Sequence, residues 1–493
     1  MSNHKLISFL FLRFLGGIYL IAFLSLLIQI TGLIGNHGIL PVKEFLASIS
    51  SNTNTNNFLI APTVCWLNSD DVFLNLLCII GAIFSVLLIF NFTSIICLVI
   101  LWFTYLSLTI ACQTFLSFQW DNLLLETGFL CIFLAPIRLN LKQCQEPPQL
   151  IIFLFNLLLF KLMFFSGLVK IASGDIAWKT LTALNYHYQT QPIPNIISYF
   201  TYWTPSWFHK LCCLTMFTIE LIVPFFIFGK KSFKLIAFTS ITVFQIIIFA
   251  TGNYCFFNIL AILLCLFLLN DEIIQRIFPR LNSNKSEVKT NWLPKWIIVS
   301  FTVLTIVINS VHFSRILGLN ITWPQFIGTI YIKISPFRII NNYGLFSIMT
   351  TTRPEIIIEG SNDFKIWKPY EFKYKPGRTK TPPPFIAPHQ PRLDWQMWFA
   401  ALGSFHNNPW FIRLCVRLLQ DSKDVINLLE KNPFPKSPPK YLRALIYDYR
   451  FSNLYTLKTK GIWWERELKG LYLPVVTLIG DKLTIIPDTV TKE

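Results

Sequence analysis

The sequence predicts an α-helical protein that crosses a membrane many times and ends in a soluble α+β domain. Of its 493 residues, 53% are hydrophobic and only 14% are charged. Soluble domains usually carry about a quarter charged residues, so the chain is too apolar to be one. The same composition excludes intrinsic disorder. Long apolar runs in the first two thirds and a change of composition near residue 318 complete the prediction.

The apolar runs give the number of membrane spans. A helix crosses a bilayer with roughly 17–25 apolar residues. We expect about nine spans, with an error of one or two, near 6–30, 72–90, 94–112, 122–137, 150–171, 211–228, 235–250, 254–269 and 296–317. The fourth run is short and contains Glu126, and the seventh and eighth are separated only by 251–253.

After residue 318 prolines and charges become frequent, and no later window is apolar enough to span. We therefore predict two parts, a membrane body (1–317) and a tail (318–493). The tail carries 24 Lys+Arg against 14 Asp+Glu, a net charge of +10. Its length is sufficient for a hydrophobic core of its own.

The distribution of Lys and Arg predicts the orientation. Basic residues concentrate on one side of the nine-span arrangement, at Lys5, around Arg138 and Lys142, around Lys230, Lys231 and Lys234, and at 276–295. The opposite loops, 31–71 and 172–210, are nearly free of them. The positive-inside rule then places the N-terminus in the cytoplasm and the tail outside, in the lumen or periplasm.

Six ionisable residues lie within apolar runs, where each needs a partner or a cavity. They are Arg13, Asp121, Glu126, Lys161, Lys170 and Glu220. Three are basic and three acidic, so structural pairing is one interpretation. The other is a polar pocket that opens outwards beneath the loop 172–210. Asp121, Lys170 and Arg13 lie near span ends, where their side chains could also reach the interface.

The loop 172–210 contains Trp178, Tyr186, His187 and Tyr188. Aromatic residues at this position usually form the interfacial belt of a membrane protein. His187 and His209 lack acidic neighbours at ligand spacing, so no metal site is predicted there.

The tail pattern predicts an α+β domain with a hairpin or sandwich-like part. Residues 355–359 and 366–374 flank a turn at 360–363, which is similar to a hairpin of discoidin-type β-sandwiches. A proline-rich arm occupies 376–391, and a helix is expected over 393–402, with Asp394 as its cap. We expect further helices at 410–420 and 424–430, and strands at 441–451 and 462–477.

Searches for catalytic motifs give no enzyme class. The chain has no Gly-x-Ser-x-Gly elbow, phosphate-binding loop or dinucleotide fingerprint, and its 11 cysteines are scattered. No cofactor is therefore predicted. Basic and aromatic residues alternate in the tail, as in nucleic-acid-binding proteins. The tail is predicted to lie outside the membrane, where nucleic acid is not expected. An acidic partner or lipid headgroups are therefore favoured over nucleic acid.

Nearly the whole chain resembles the lipase maturation factor family. The matching stretches are 118–121, 124–129, 166–170, 173–175, 186–192, 219–221, 251–254, 349–355 and 388–398. The last two contain Arg353, Glu355, His389, Arg392, Asp394 and Trp395. The resemblance implies a multi-pass membrane protein of the endoplasmic reticulum, with a luminal tail, that helps secreted lipases fold and assemble. It implies no catalytic residue.

An alternative is a membrane-integral enzyme. Residues 166–170, with Trp178 downstream, also resemble the transmembrane region of vitamin K-dependent carboxylase-like proteins, which implies Lys170 as a base. The abundance of Ile, Asn, Lys and Phe is typical of AT-rich genomes, including bacterial ones. In a bacterium the chain would lie in the inner membrane with a periplasmic tail, and its client would be another exported protein.

Overall fold

The structure is a computed structural model that describes residues 4–52, 56–135, 146–277, 279, 294–480 and 482–487. The α-helices before residue 318 are α1 (Lys5–Leu27), α2 (Ile30–Ile34), α3 (Val42–Asn52), α4 (Asn57–Ile60), α5 (Asp71–Ile89), α6 (Ser94–Ala111), α7 (Gln119–Leu134), α8 (Gln149–Ala172), α9 (Ile176–Lys179), α10 (Leu184–Thr190), α11 (Ile196–Tyr202), α12 (Ser206–Phe217), α13 (Val223–Phe226), α14 (Lys231–Thr251), α15 (Phe257–Cys265), α16 (Asp271–Ile277) and α17 (Lys295–Ile316).

The tail mixes helices and strands. Its helices are α18 (Gln325–Ile334), α19 (Arg392–Ala401), α20 (Pro409–Leu419), α21 (Lys423–Ile426) and α22 (Leu454–Lys460). Its strands are β1 (Pro354–Ser361), β2 (Lys368–Pro369), β3 (Glu371–Phe372), β4 (Leu429–Lys431), β5 (Tyr441–Phe451), β6 (Trp464–Ile479) and β7 (Lys482–Ile485). The predicted class, a helical membrane body followed by an α+β tail, is confirmed.

Seven helices among the described residues are long and apolar enough to cross a membrane. They are α1, α5, α6, α8, α14, α17 and the continuous segment Ser206–Phe226. An eighth span is possible if Phe257–Leu268 and Asp271–Ile277, which meet at an angle of 110°, are taken together. The prediction of about nine agrees with this number within its error. The difference arises because α7 has 16 residues, fewer than a full span requires.

Contacts at the helix ends define two faces of the body. The tail face is the one where Ser25, Asp121 and Asn253 bond to tail residues. The basic face is the opposite end. There Asp271 accepts hydrogen bonds from the backbone N–H groups of Leu6 and Ile7. Lys231 pairs with Glu272 at the same end. The predicted basic loop at Arg138 and Lys142, and most of 276–295, lie outside the described residues.

The tail is built on a five-stranded antiparallel sheet in the order β2-β1-β5-β6-β7. The predicted hairpin is present, because Glu359 pairs with Pro369 and Gly360 with Lys368. The predicted strand over 366–374 is split, since β3 pairs with β4 in a separate two-stranded sheet. The strands predicted at 441–451 and 462–477 correspond to β5 and β6.

Two details of the predicted tail helices were wrong. Asp394 does not cap α19: it accepts hydrogen bonds from the backbone N–H groups of Tyr374 and Lys375, both at 2.9 Å. Because the N–H groups of Tyr374 and Lys375 bond to Asp394, they do not pair with a neighbouring strand, and β3 ends at Phe372. The helix predicted at 424–430 is the single turn α21 followed by β4. The helix predicted at 410–420 is α20.

One hydrophobic core runs through both parts of the chain. The same cluster of buried side chains includes Tyr19 of α1, Phe115 after α6, Trp395 of α19 and Leu414 of α20. The boundary between residues 317 and 318 stays a prediction, but the packing places the tail directly on the tail face. The fold therefore positions tail side chains against the ends of the membrane helices.

Candidate functional site

Buried ion pairs are the main polar feature of the body and its junction with the tail. Among the described residues, five of the six predicted intramembrane charges form three pairs: Lys161 with Glu126, Lys170 with Glu220, and Asp121 with Arg392. Their side chains are at most 7% exposed. Burial of this kind requires each charge to have a partner, because an isolated charge in an apolar medium is very costly.

The pair of Asp121 and Arg392 joins the body to the tail. Arg392, the first residue of α19, donates two hydrogen bonds to the Asp121 carboxylate at 2.6 and 2.8 Å. Tyr105 of α6 donates a third at 2.6 Å. Asp121 lies in the first turn of α7, where the helix dipole favours a negative charge. Asp121 lies near the end of its helix, and its carboxylate is held there by Arg392.

A second junction centres on Arg353 and Glu355 at the start of β1. Arg353 donates to the carbonyl oxygens of Gln189, Gln191 and Pro192, which belong to the loop 172–210. It also donates to Glu355 at 2.8 Å. Lys375 contacts the other carboxylate oxygen of Glu355 at 2.9 Å. The guanidinium thus joins the backbone of the outer loop (172–210) to strand β1 of the tail sheet.

His389 and Trp395 complete the junction formed by the predicted tail residues. His389 Nδ1 lies 2.9 Å from the Ser25 hydroxyl near the end of α1. Burial, followed by the charges of Arg392 and Lys373, lowers the pKa of His389 from 6.5 to about 4. Trp395 packs edge-on against Trp120, with ring centroids 4.8 Å apart. Burial raises the pKa of Asp394 from 3.8 to about 6.

The pair of Lys161 and Glu126 lies deeper in the body. Glu126 Oε2 accepts from the Tyr343 hydroxyl at 2.7 Å and from the Asn341 backbone N–H at 3.0 Å. Lys161 also donates to the Asn341 carbonyl oxygen at 3.2 Å. The segment that follows α18 therefore completes the hydrogen bonding of this pair. Arg13 is placed elsewhere, where it donates to Ser94 at 3.0 Å.

The pair of Lys170 and Glu220 depends on a widened helical turn. Thr218–Ile222 forms a π-helical turn between α12 and α13. Pro224 cannot donate to the carbonyl of Glu220, four residues earlier, and its ring would clash with that carbonyl in a regular helix. The wider turn relieves this clash. Lys170 donates to both Glu220 carboxylate oxygens, at 2.9 and 2.8 Å.

The four aromatic residues predicted as site residues in the outer loop (172–210) occupy different environments. Trp178 is buried and its ring lies 5.5 Å from the Lys170 ammonium. The Nε2 atom of His187 lies 3.1 Å from the Tyr254 hydroxyl oxygen. Burial and then the charge of Lys170 lower the pKa of His187 from 6.5 to about 4. Tyr188 is buried, whereas Tyr186 is exposed. Trp178 and His187 therefore cover the Lys170 pair instead of forming a belt.

A cavity of about 430 Å³ lies beneath this cover. It is lined by α8, α12, α14 and the outer loop, and includes Lys170, Glu220, His187 and Tyr254. The buried charges are thus paired, and a cavity adjoins one of the pairs. The lining of this cavity is mostly apolar, unlike the polar, outward-opening pocket of the second interpretation. What function the site residues serve stays a prediction.

The chemistry available at these sites is electrostatic and hydrogen-bonding. A lysine base must be neutral and free, whereas Lys170 donates to both oxygens of its partner. No group of three or more His, Cys, Asp or Glu with metal-binding geometry occurs within the described ranges. The ten cysteines in those ranges are free thiols.

Sequence reasoning missed several residues that complete these sites. The tail stretches were recognised, but not that Arg392 is the partner of Asp121. Tyr343, Asn341 and Asn253 were not singled out. Periodicity carries no signal for such contacts, because the partners lie far apart in the sequence. The signal that was available for Asp121 was an ionisable residue at the end of an apolar run, which needs a partner or a cavity.

Two family sequence models match the chain. The one described as the lipase maturation factor transmembrane domain matches residues 6–276, and the one described as the lipase maturation factor C-terminal domain matches residues 339–474. Together they contain all three buried pairs described above.

Curated relatives match along nearly the whole chain. Lipase maturation factor 2 of Xenopus tropicalis is 33% identical over 98% of this chain and 84% of its own length. The human protein of the same name gives the same values. Lipase maturation factor 1 of Bos taurus is 34% identical over 94% of this chain and 87% of its own length. No solved structure matches. Nothing in these comparisons supports a relation to carboxylase-like proteins.

Proposed function

Because the chain belongs to the lipase maturation factor family, we propose that it is a membrane-embedded factor that assists the folding and assembly of secreted lipases or other exported proteins. Its membrane body anchors the tail, and the tail contacts the client. Assistance to folding needs a surface that binds the client and does not need a catalytic group.

The observation that carries this proposal is the attachment of the tail to the face opposite the basic residues. Lys5 and Lys231 lie at the basic face, and Arg353 and Arg392 fix the tail at the other. Positive residues favour the cytoplasmic side of a membrane. The tail is therefore presented to the compartment in which secreted proteins fold.

The compartment follows from the type of cell. In a eukaryotic cell we place the chain in the endoplasmic reticulum membrane with the tail in the lumen. In a bacterium the equivalent position is the inner membrane with the tail in the periplasm, and the client is another exported protein.

The tail offers an apolar surface to such a client. Leu468 and Leu471 of β6 are 54% and 53% exposed. Side chains of this kind bind the exposed apolar surface of an incompletely folded protein through the hydrophobic effect. Leu454 of α22 is 49% exposed and lies on a different element, so it serves as the control position for Leu468.

Expression of the chain in cells that lack their own lipase maturation factor tests the proposal. The ratio of secreted lipase activity to secreted lipase mass should rise, while an unrelated secreted protein is unaffected. Leu468→Glu should weaken this effect and Leu454→Glu should not. An unchanged ratio, with the chain present in the membrane at normal level, contradicts the proposal.

A further inference from the structure

The cavity beside Lys170 and Glu220 has the dimensions of a ligand site. Its volume is about 430 Å³, and ligand pockets usually occupy roughly 300–1,000 Å³. Most of its lining is apolar, with contributions from α8, α12, α14 and the outer loop. A mostly apolar wall with a few converging polar groups is typical of small-molecule sites.

The cavity opens sideways between two membrane spans. Phe208 and Leu211 of α12 and Val243 and Ile247 of α14 line it, and all four are also exposed on the outer surface of the helices. At the other end of these spans, α13 packs against α14. At the depth of a span the surrounding medium is lipid. A ligand can therefore enter from the bilayer without crossing water.

The side of the cavity that faces away from the bilayer, here called the inner wall, carries the polar groups. Lys170 and Glu220 neutralise each other there, and Tyr254 and His187 lie beside them. Gln245 is 3% exposed, and its Oε1 accepts from Asn258 at 2.7 Å. The acceptor that the described residues provide for Gln245 Nε2 is the Met163 sulfur at 3.7 Å. A thioether is a weak acceptor, so a ligand oxygen would bind this amide better.

The charge balance of the inner wall selects the kind of headgroup. The ion pair is complete, so a carboxylate headgroup would have to displace Glu220 from Lys170. A cationic headgroup would have to displace Lys170 from Glu220. Either change leaves a buried charge without its partner, which is strongly unfavourable. An uncharged headgroup with a hydroxyl needs only hydrogen-bond partners. Gln245 Nε2 can donate to its oxygen, and the Tyr254 hydroxyl, which donates to Gln191 Oε1 at 2.9 Å, can still accept its proton beside His187.

We propose that this cavity binds an uncharged membrane lipid whose hydroxyl-bearing end meets Gln245, Tyr254 and His187 and whose hydrocarbon part lies between α12 and α14. A diacylglycerol and a sterol both have this chemistry. The inference does not rest on the proposed action on lipases, and its test contains no lipase.

The test uses the full-length protein in lipid nanodiscs with photoactivatable diacylglycerol, sterol, fatty acid or phosphatidylcholine analogues. At least one of the two uncharged probes should label peptides of α8, α12 or α14, and which one does so identifies the source. The unlabelled form of that lipid should compete, and a fatty acid should not. Equal labelling by the fatty acid or phosphatidylcholine probe overturns the proposal.

Two neighbouring isoleucines give a matched pair of variants. Ile247 lines the cavity, whereas Ile246 is absent from its lining, and the two are 53% and 52% exposed. Ile247→Trp should fill the mouth and reduce labelling by about tenfold, which corresponds to about 1.4 kcal/mol of binding. Ile246→Trp should leave labelling unchanged.

A second pair protects the test against misfolding of one variant. Leu211 lines the cavity and Leu214 is not part of the lining, with 51% and 54% exposure. Leu211→Trp should reduce labelling and Leu214→Trp should not. Equal labelling of the lining and control variants in both pairs, or adducts confined to other helices, contradicts the proposal.

Discussion

At the scale of single residues, the buried charges decide which segments meet. Asp121 and Arg392 are 271 positions apart, yet they form a two-point hydrogen-bonded pair that is shielded from solvent. A buried pair contributes little net stability compared with apolar residues of the same size. The pair instead selects one arrangement of the tail on the body, since any other arrangement leaves Asp121 or Arg392 buried without its partner. The pair therefore fixes how the tail sits on the body.

The first prediction concerns this pair. Arg392→Met should lower the free energy of unfolding by about 3–5 kcal/mol, because it leaves Asp121 buried and unpaired. Adding Asp121→Asn should restore part of the loss. Thermal unfolding in detergent and the cellular level of the protein measure both effects. Lys231→Met, at a pair whose side chains are 65% and 67% exposed, should cause no measurable change. Equal damage by both single variants contradicts the account.

The pair of Lys170 and Glu220 allows a test between structure and catalysis. Lys170→Met should reduce the amount of protein in the membrane, because Glu220 loses both of its hydrogen bonds from Lys170. Lys170→Met combined with Glu220→Gln should recover part of that amount. If Lys170→Met accumulates normally but has no function, Lys170 has a chemical role that pairing does not explain.

The pKa of His389 predicts a pH effect at the junction. Its pKa falls from 6.5 to about 4 on folding, so the unfolded chain binds more protons between these values. The histidine therefore contributes stability above pH 6.5 that is lost as the pH falls towards 4. His389→Gln should reduce the decline of the thermal midpoint over this range. Asp394 acts in the opposite sense, so the test compares variant and wild type at each pH.

At the scale of elements, one side chain connects three segments of the chain. Asn253, in the turn between α14 and α15, donates to the carbonyl oxygens of Ile193 and Pro384. Its oxygen accepts from the backbone N–H groups of Ile386 and Ala387. The proline-rich arm and the outer loop are thereby held against the helix ends. These backbone groups would otherwise be buried without partners.

Asn253→Ala should therefore loosen the proline-rich arm. The substitution removes four hydrogen bonds, and an unsatisfied buried group costs about 1–3 kcal/mol. We expect faster proteolysis within 376–391 and a lower thermal midpoint. Thr251→Ala, two residues earlier, removes only a bond within α14 and serves as the control. Unchanged proteolysis of the Asn253 variant contradicts this role.

The same elements show what the sequence can and cannot predict. Long apolar runs predicted α1, α8 and α17, and β-branched and aromatic runs predicted β1, β5 and β6. The short helices α2, α4, α9, α10 and α11 were not predicted, because elements of four to seven residues show no clear hydrophobic period. Asp394 has the sequence position of a cap, but the nearby Tyr374 and Lys375 amides take its carboxylate. Contacts between distant segments leave no periodic signal.

At the scale of the whole molecule, the body and tail share one hydrophobic core. The tail is packed on helix ends through Trp395 and Phe115 and is fixed by Arg353 and Arg392. An interface this continuous leaves little freedom for relative motion of the two parts. The orientation of the body in the membrane therefore also decides on which side the tail acts.

Topology mapping tests this central claim most directly. A reporter fused after Glu493 should be active on the outer side of the membrane, and one inserted at Lys231 should be active in the cytoplasm. The reason is that the basic face carries Lys231 and the opposite face carries the tail. A cytoplasmic signal from the Glu493 fusion, in a protein that retains its normal level, would contradict the account.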